Sequence, residues 1–206
     1  MRLFLARHGH TEGNKEQLLI SRTDQELSDE GKKQAELLGR YLAQFPLHGM
    51  YSSGLQRSKE TAAYVTRFQE NSVLCKSFPE FNERDFGDYE GKTWKEVFSL
   101  HPHLRKQWNE EKGSFAFPHG ERLDAFLSRV SSGFQKVLES HSLEDNIFIC
   151  GHSGSVKAIL ASLLKTPVEY VMELCEQANC GINELSYDGK EWTIHRLNFT
   201  GYKWYL

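Results

Sequence analysis

The chain has 206 residues, 39% hydrophobic and 26% charged, with a formal net charge of -3. Such a profile fits one globular domain over residues 1–206 and excludes disordered and fibrous classes. It provides no broad basic face for a polyanion and no apolar run near the ~20 residues of a membrane span, so neither nucleic acid nor a membrane is an expected partner. The opening Leu3-Phe4-Leu5-Ala6 is a short apolar run stopped by Arg7-His8-Gly9, the pattern of a buried strand that delivers polar residues to its carboxyl end. From Ser28 the spacing turns helical: Ser28 can cap, Asp29 and Glu30 suit the first turn, and Ala35, Leu38, Leu42 and Phe45 follow before Pro46.

A second strand is predicted at Met50 to Ser52, a helix over about 55–68, and a strand at Val73 to Cys75. The stretch from about 78 to 120 is rich in aromatics, histidines and glycines. Apart from a short helix over 94–100 its periodicity is weak, and it reads as a cap or insertion. Leu123, Phe126, Leu127, Val130, Phe134, Val137 and Leu138 trace the apolar stripe of a further helix. A buried strand, Asn146 to Cys150, then runs into the turn Gly151-His152-Ser153-Gly154 and a helix over 156–164. Thr166-Pro167-Val168-Glu169 marks another helix start. Asp188-Gly189 joins two strands, 182–187 and 192–197, as a hairpin. Strands alternating with helices predict a three-layer α/β/α sandwich around a mostly parallel sheet.

Cys75, Cys150, Cys175 and Cys180 form no C-x-x-C pair, and the start MRLFLA does not resemble a secretory segment. Buried structural thiols and a cytoplasmic location are expected. His8 and His152 each follow a buried strand and precede a tight turn, so both belong at strand carboxyl ends, where ligands bind in open sheets of this class. Arg7 adjoins His8, and Arg57 lies just inside the helix after the second strand, on the same edge. Two guanidinium groups with two imidazoles suit phosphoryl transfer: the first pair phosphate oxygens, and a neutral imidazole can attack phosphorus. Neighbouring guanidinium charge also favours the neutral imidazole. No metal or other cofactor is then called for.

RHGHTEGN at 7–14 resembles the RHG motif of the histidine phosphatase superfamily, in its phosphoglycerate mutase-like branch. The likeness continues through Asp24-x-x-Leu27-Ser28-x-x-Gly31-x-x-Gln34-Ala35 and Tyr51-Ser52-Ser53-x-Leu55-x-Arg57-x-x-x-Thr61-Ala62. Asn82-Glu83-Arg84-x-Phe86-Gly87 and Gly151-His152-Ser153-Gly154 complete it. The resemblance implies a phosphoglycerate mutase-like fold and a phosphomonoesterase working through phosphorylated His8. It makes Arg7, Asn14, Arg57 and His152 the phosphate pocket and Glu83 the acid and base that protonates the leaving alkoxide and then activates water. The implied partner is a small phosphorylated metabolite, and an exposed sheet edge leaves a homodimer open.

Two positions depart from the family pattern. His10 stands where Glu or Gln is usual, and Ser21-Arg22 stand where mutases carry Gly-Trp. With the short chain after the hairpin, the second departure favours a phosphatase over a phosphoglycerate mutase. The substrate stays open among general monoesters, alpha-ribazole 5'-phosphate, phosphoserine and sugar phosphates. Two readings from other classes are weaker. His8-x-His10 could be a metal pair, but His48, His101, His103, His119, His141 and His195 add no ligand spacing and read as surface or loop residues. A non-catalytic phosphate binder would be expected to have lost His8 or Glu83, and both are present. His101, His103, Arg105, Lys106 and Lys112 read as a solvated polar face.

Overall fold

The computed structural model describes residues 1–111, 114–167 and 176–204. Six strands, β1 (Arg2–Arg7), β2 (Gly49–Ser52), β3 (Cys75–Ser77), β4 (Asn146–Gly151), β5 (Ile182–Tyr187) and β6 (Trp192–Phe199), form one sheet in the order β3-β2-β4-β1-β5-β6. The first four run parallel, while β5 pairs antiparallel with both β1 and β6. The described helices are α1 (Glu12–Lys15), α2 (Asp29–Leu42), α3 (Gln56–Thr66), α4 (Trp94–Leu100), α5 (Pro102–Glu111), α6 (Leu123–Glu139) and α7 (Ser153–Leu164).

Strand alternation sorts the core into layers. Leu3, Leu5, Ile147 and Ile149 face Phe126, Val130, Phe134 and Val137 of α6 and Val156, Ile159 and Leu160 of α7. Phe4, Ala6, Met50 and Phe148 face the opposite way, onto Ala35, Leu38 and Leu42 of α2 and Ala62 and Val65 of α3. Because β1 and β4 are covered on both faces, they carry continuous apolar runs and lose the polar alternation of a half-exposed strand. Each of their large side chains contributes about 1.5–3 kcal/mol on burial. This is the three-layer α/β/α sandwich expected from the sequence.

A third apolar cluster stands apart from both, made of Leu19, Tyr89, Val97, Leu104, Phe115 and Phe117. It underlies α4 and α5. The second of these helices has no counterpart in the sequence reading, because only Leu104 of its ten residues is fully buried and a single anchor leaves no stripe. β3 lies two residues beyond the expected Val73 to Cys75. Its register is set by β2, with Met50 opposite Cys75 and Ser52 opposite Ser77, and not by its own apolar residues. The helix start at Thr166 runs into residues 168–175, outside the described residues, as does Cys175. Cys150 and Cys180 are buried, but Cys75 is only half-buried. His141 is not a surface residue: its ring lies between the Tyr51 hydroxyl (2.8 Å) and Asp145 (2.8 Å).

No helix among the described residues is long and apolar enough to cross a membrane.

Candidate active site

β1, β4 and β2 end side by side, and their carboxyl ends supply the site. His8 follows β1 and is buried. Its Nδ1 lies 2.7 Å from the Gly9 carbonyl oxygen. A carbonyl can only accept, so Nδ1 carries the proton and Nε2 keeps a free lone pair. Burial, then the charges of Arg7 and Arg57, hold the His8 pKa well below the ordinary imidazole value. The ring is therefore neutral at pH 7. The loop after it is clamped against α2 and α3: Gly9 N donates to Thr61 Oγ1 (2.9 Å) and His10 N to Gln34 Oε1 (3.1 Å). A Cβ on Gly9 would stand 2.7 Å from the Gly31 carbonyl oxygen, so only glycine lets the two backbones approach.

His152 follows β4 and caps α7, with its ring centroid 5.0 Å from that of His8. Its Nε2 lies 2.8 Å from Ser53 Oγ. Leu55 N donates to the same oxygen (3.2 Å), which leaves the hydroxyl proton free to go to His152. A serine hydroxyl can donate and accept at once, so this contact orients the ring without fixing its tautomer. His152 Nδ1 is buried and has no partner among the described residues. Burial, then Arg57 and His8, hold the His152 pKa well below the ordinary imidazole value as well.

Arg57 sits in the first turn of α3, 1% exposed, with its guanidinium over the Ile20, Ser21 and Thr23 carbonyls (each 3.3 Å). Arg7 Nη1 donates to the Gln177 carbonyl (2.8 Å), and its Nε is buried without a partner among the described residues. Asn14 is oriented by Asn179. The Asn179 amide donates to the His8 carbonyl (3.0 Å) and to Asn14 Oδ1 (2.9 Å), which turns the Asn14 NH2 away from that bond. Glu83 reaches the start of α7, where Oε2 accepts from Gly154 N (2.9 Å) and Oε1 from Arg84 N (2.8 Å). A Cβ at Gly154 would collide with this carboxylate, which explains the second glycine of Gly151-His152-Ser153-Gly154.

All six residues line one cavity of about 630 Å³. Four buried polar side-chain atoms lack partners among the described residues. Three of them, Arg7 Nε, Thr11 Oγ1 and His152 Nδ1, belong to residues lining this cavity. Each unmet polar group costs about 1–3 kcal/mol unless something enters to pair with it. Unpartnered polar atoms in a cavity that also holds a free imidazole nitrogen suit a ligand rich in hydrogen-bonding oxygens.

Residues 3–200 match the family described as the histidine phosphatase superfamily, branch 1. The chain belongs to that superfamily. A phosphoserine phosphatase of Hydrogenobacter thermophilus is 27% identical over 97% of this chain and 93% of its own length. The adenosylcobalamin/alpha-ribazole phosphatase of Salmonella typhimurium is 29% identical over 87% and 88%. Among solved structures, the alpha-ribazole phosphatase from Shigella flexneri superposes with a TM-score of 0.84 at 28% identity, covering 97% of this chain and 96% of that one.

Several features of this histidine phosphatase were not foreseen from its sequence. Asn179, Thr11 and Ser53 were given no part; Ser53 could have been suspected from its place beside Arg57 in one motif, while nothing near Asn179 signals it. Arg105, read as part of a solvated face, lines the cavity; Lys106 does pair with Glu110 at the surface, and Lys112 lies outside the described residues. The two departures from the family pattern lie off the cavity. His10 Nδ1 is 2.9 Å from Ser28 Oγ, Ser21 N donates to Glu90 (2.6 Å), and Arg22 pairs with Asp85. The cavity is shaped instead by Leu18, Leu19 and Ile20. His8 and His10 have different partners, and no group of three metal-ligating side chains occurs among the described residues.

Proposed function

We propose that the protein hydrolyses small phosphate monoesters in two steps on His8. The unpartnered Arg7 Nε, Thr11 Oγ1 and His152 Nδ1 of the cavity that His8 lines carry this reading. Nε2 attacks phosphorus while Arg7, Arg57, Asn14, Thr11 and His152 hold the other phosphate oxygens. Glu83, protonated, gives its proton to the departing alkoxide as the oxygen–phosphorus bond breaks. Both of its oxygens keep a lone pair beyond their backbone bonds, so the carboxyl group can hold that proton. Water then loses a proton to Glu83 and attacks the phosphohistidine, releasing inorganic phosphate and restoring neutral His8. Positive charge comes from Arg7 and Arg57, so turnover survives chelation. In the same reading residues 1–206 form one domain capped by about 78–120, acting in the cytoplasm on a phosphorylated metabolite, with a homodimer through the sheet edge.

The test is rapid quenching with labelled substrate. The expected label is acid-labile, alkali-stable and on His8. His8→Ala is expected to lower turnover about 10⁴- to 10⁶-fold. Label on a serine or cysteine, full activity in His8→Ala, or a large loss to EDTA restored by zinc would each overturn the mechanism.

A further inference from the structure

In the proposed reading a phosphate group fills only one end of a cavity of about 630 Å³. Beyond it the wall combines Arg84, Arg105, Asn109 and Lys157 with an apolar, largely aromatic face made of Leu18, Ile20, Phe86, Trp94, Phe98 and Trp108. These rings brace one another. Trp94 stacks on Phe98 (centroids 5.3 Å, planes 20° apart) and meets the edges of Trp108 (6.0 Å) and Phe86 (6.2 Å). Behind them Phe115 and Phe117 are buried, and Trp108 lies edge-on to Phe115 at 5.3 Å. α4, which carries Trp94 and Phe98, is held at its start by a capping box between Thr93 and Glu96. The wall therefore stands open without collapsing into the cavity.

Trp94 nevertheless remains 38% exposed. The other large exposed apolar residues among the described ones are single leucines: Leu74, Leu100, Leu143, Leu164 and Leu197, and none lines the cavity. An indole left uncovered inside an aromatic-walled cleft, continuous with a phosphate pocket, is a surface for a flat apolar partner. Charge points the same way. Among the described residues Glu83 is the one acidic group along this cavity, and its oxygens already accept from backbone N–H groups. Arg84, which lies over Trp108, and Arg105, which lies over Phe98, make the wall cationic as well as aromatic, so an ammonium on the leaving group is disfavoured there whereas a ring system meets the uncovered Trp94 indole.

We infer that the physiological substrates are phosphate monoesters whose leaving group carries a flat aromatic ring system, seated against Trp94, Phe98 and Trp108. The inference rests on the proposed phosphatase reading, but binding tests it without turnover. Calorimetry on the full chain compares naphthylethyl phosphonate with ethyl phosphonate, which share the same phosphorus head. The aromatic compound is expected to bind about 10- to 100-fold more tightly. Trp94→Ala and Phe98→Ala should each cut that ratio several-fold, while Leu74→Ser, far from the cavity, keeps it. A ratio near one, or one unmoved in both aromatic variants, would overturn the inference. Turnover of the two corresponding phosphates separates the readings. Label on His8 with a ratio near one sinks the aromatic wall alone; a high ratio without that label supports the wall and sinks the His8 mechanism.

Discussion

The phosphate pocket and the aromatic wall share one cavity but are built in opposite ways. Most pocket residues stand at strand ends and helix starts, and hydrogen bonds tie them into the sheet sandwich. Arg57 lies over three carbonyls, Glu83 sits on the first turn of α7, and His8 is fixed by Gly9. The wall residues Phe86, Trp94, Phe98 and Trp108 rest on a small separate cluster under two short helices, held mainly by ring contacts. The difference implies a division of labour. On the proposed mechanism the rigid part handles phosphorus, which is the same in every monoester, and the aromatic part meets the leaving group, which varies. Damage to the pocket should cost every substrate, whereas damage to the wall should cost only some.

In the proposed mechanism Glu83 belongs to the pocket but acts on the leaving group, so it gives the sharpest break in that division. Glu83→Gln is expected to lower kcat about 10²- to 10⁴-fold on alkyl phosphates and much less on nitrophenyl phosphate, whose leaving oxygen needs no proton. Equal losses on the two would reduce Glu83 to a brace for α7.

Ser53 tests whether the pocket's hydrogen-bond pattern matters as much as its charge. Its hydroxyl holds the His152 ring, 2.8 Å from Nε2. Ser53→Ala should lower kcat about tenfold on every substrate with KM little changed. The nitrogen shifts of His152 should change. A loss confined to aromatic substrates, or unchanged shifts, would contradict this positioning role.

The smallest effect is on stability. Both pocket imidazoles have folded pKa values far below 6.5, burial being the first cause. Below about pH 6.5 the unfolded chain binds protons there that the native state refuses, so stability falls on acidification and is regained as pH rises toward that value. Each histidine adds up to about 1.4 kcal/mol per pH unit to the slope. Denaturant unfolding between about pH 5 and 6 should show a correspondingly shallower slope in His152→Gln. An identical slope would mean that the native pocket takes up the proton.

The two regions also differed in how far they could be read. Strand alternation and helix stripes run over many residues and depend on local burial, so β1, β4, α2 and α6 could be placed from spacing alone. His8, Arg7, Arg57, His152, Asn14 and Glu83 sit inside short motifs whose turns and caps are local too. The cap resisted because its core is small: with Leu104 as the single fully buried residue of α5, no period emerges.

What the sequence by itself determined was the layered sandwich and the set of reactive groups at its carboxyl edge, because periodicity, caps and glycine turns are properties of neighbouring residues. What only the tertiary structure decided was how those groups are tuned and what faces them. The His152 ring is held by Ser53 ninety-nine positions away, and the Asn14 amide by Asn179 across 165. The aromatic wall likewise draws Phe86, Trp94, Phe98 and Trp108 from separate turns of chain. Such contacts join residues far apart in sequence, and only packing brings them within reach.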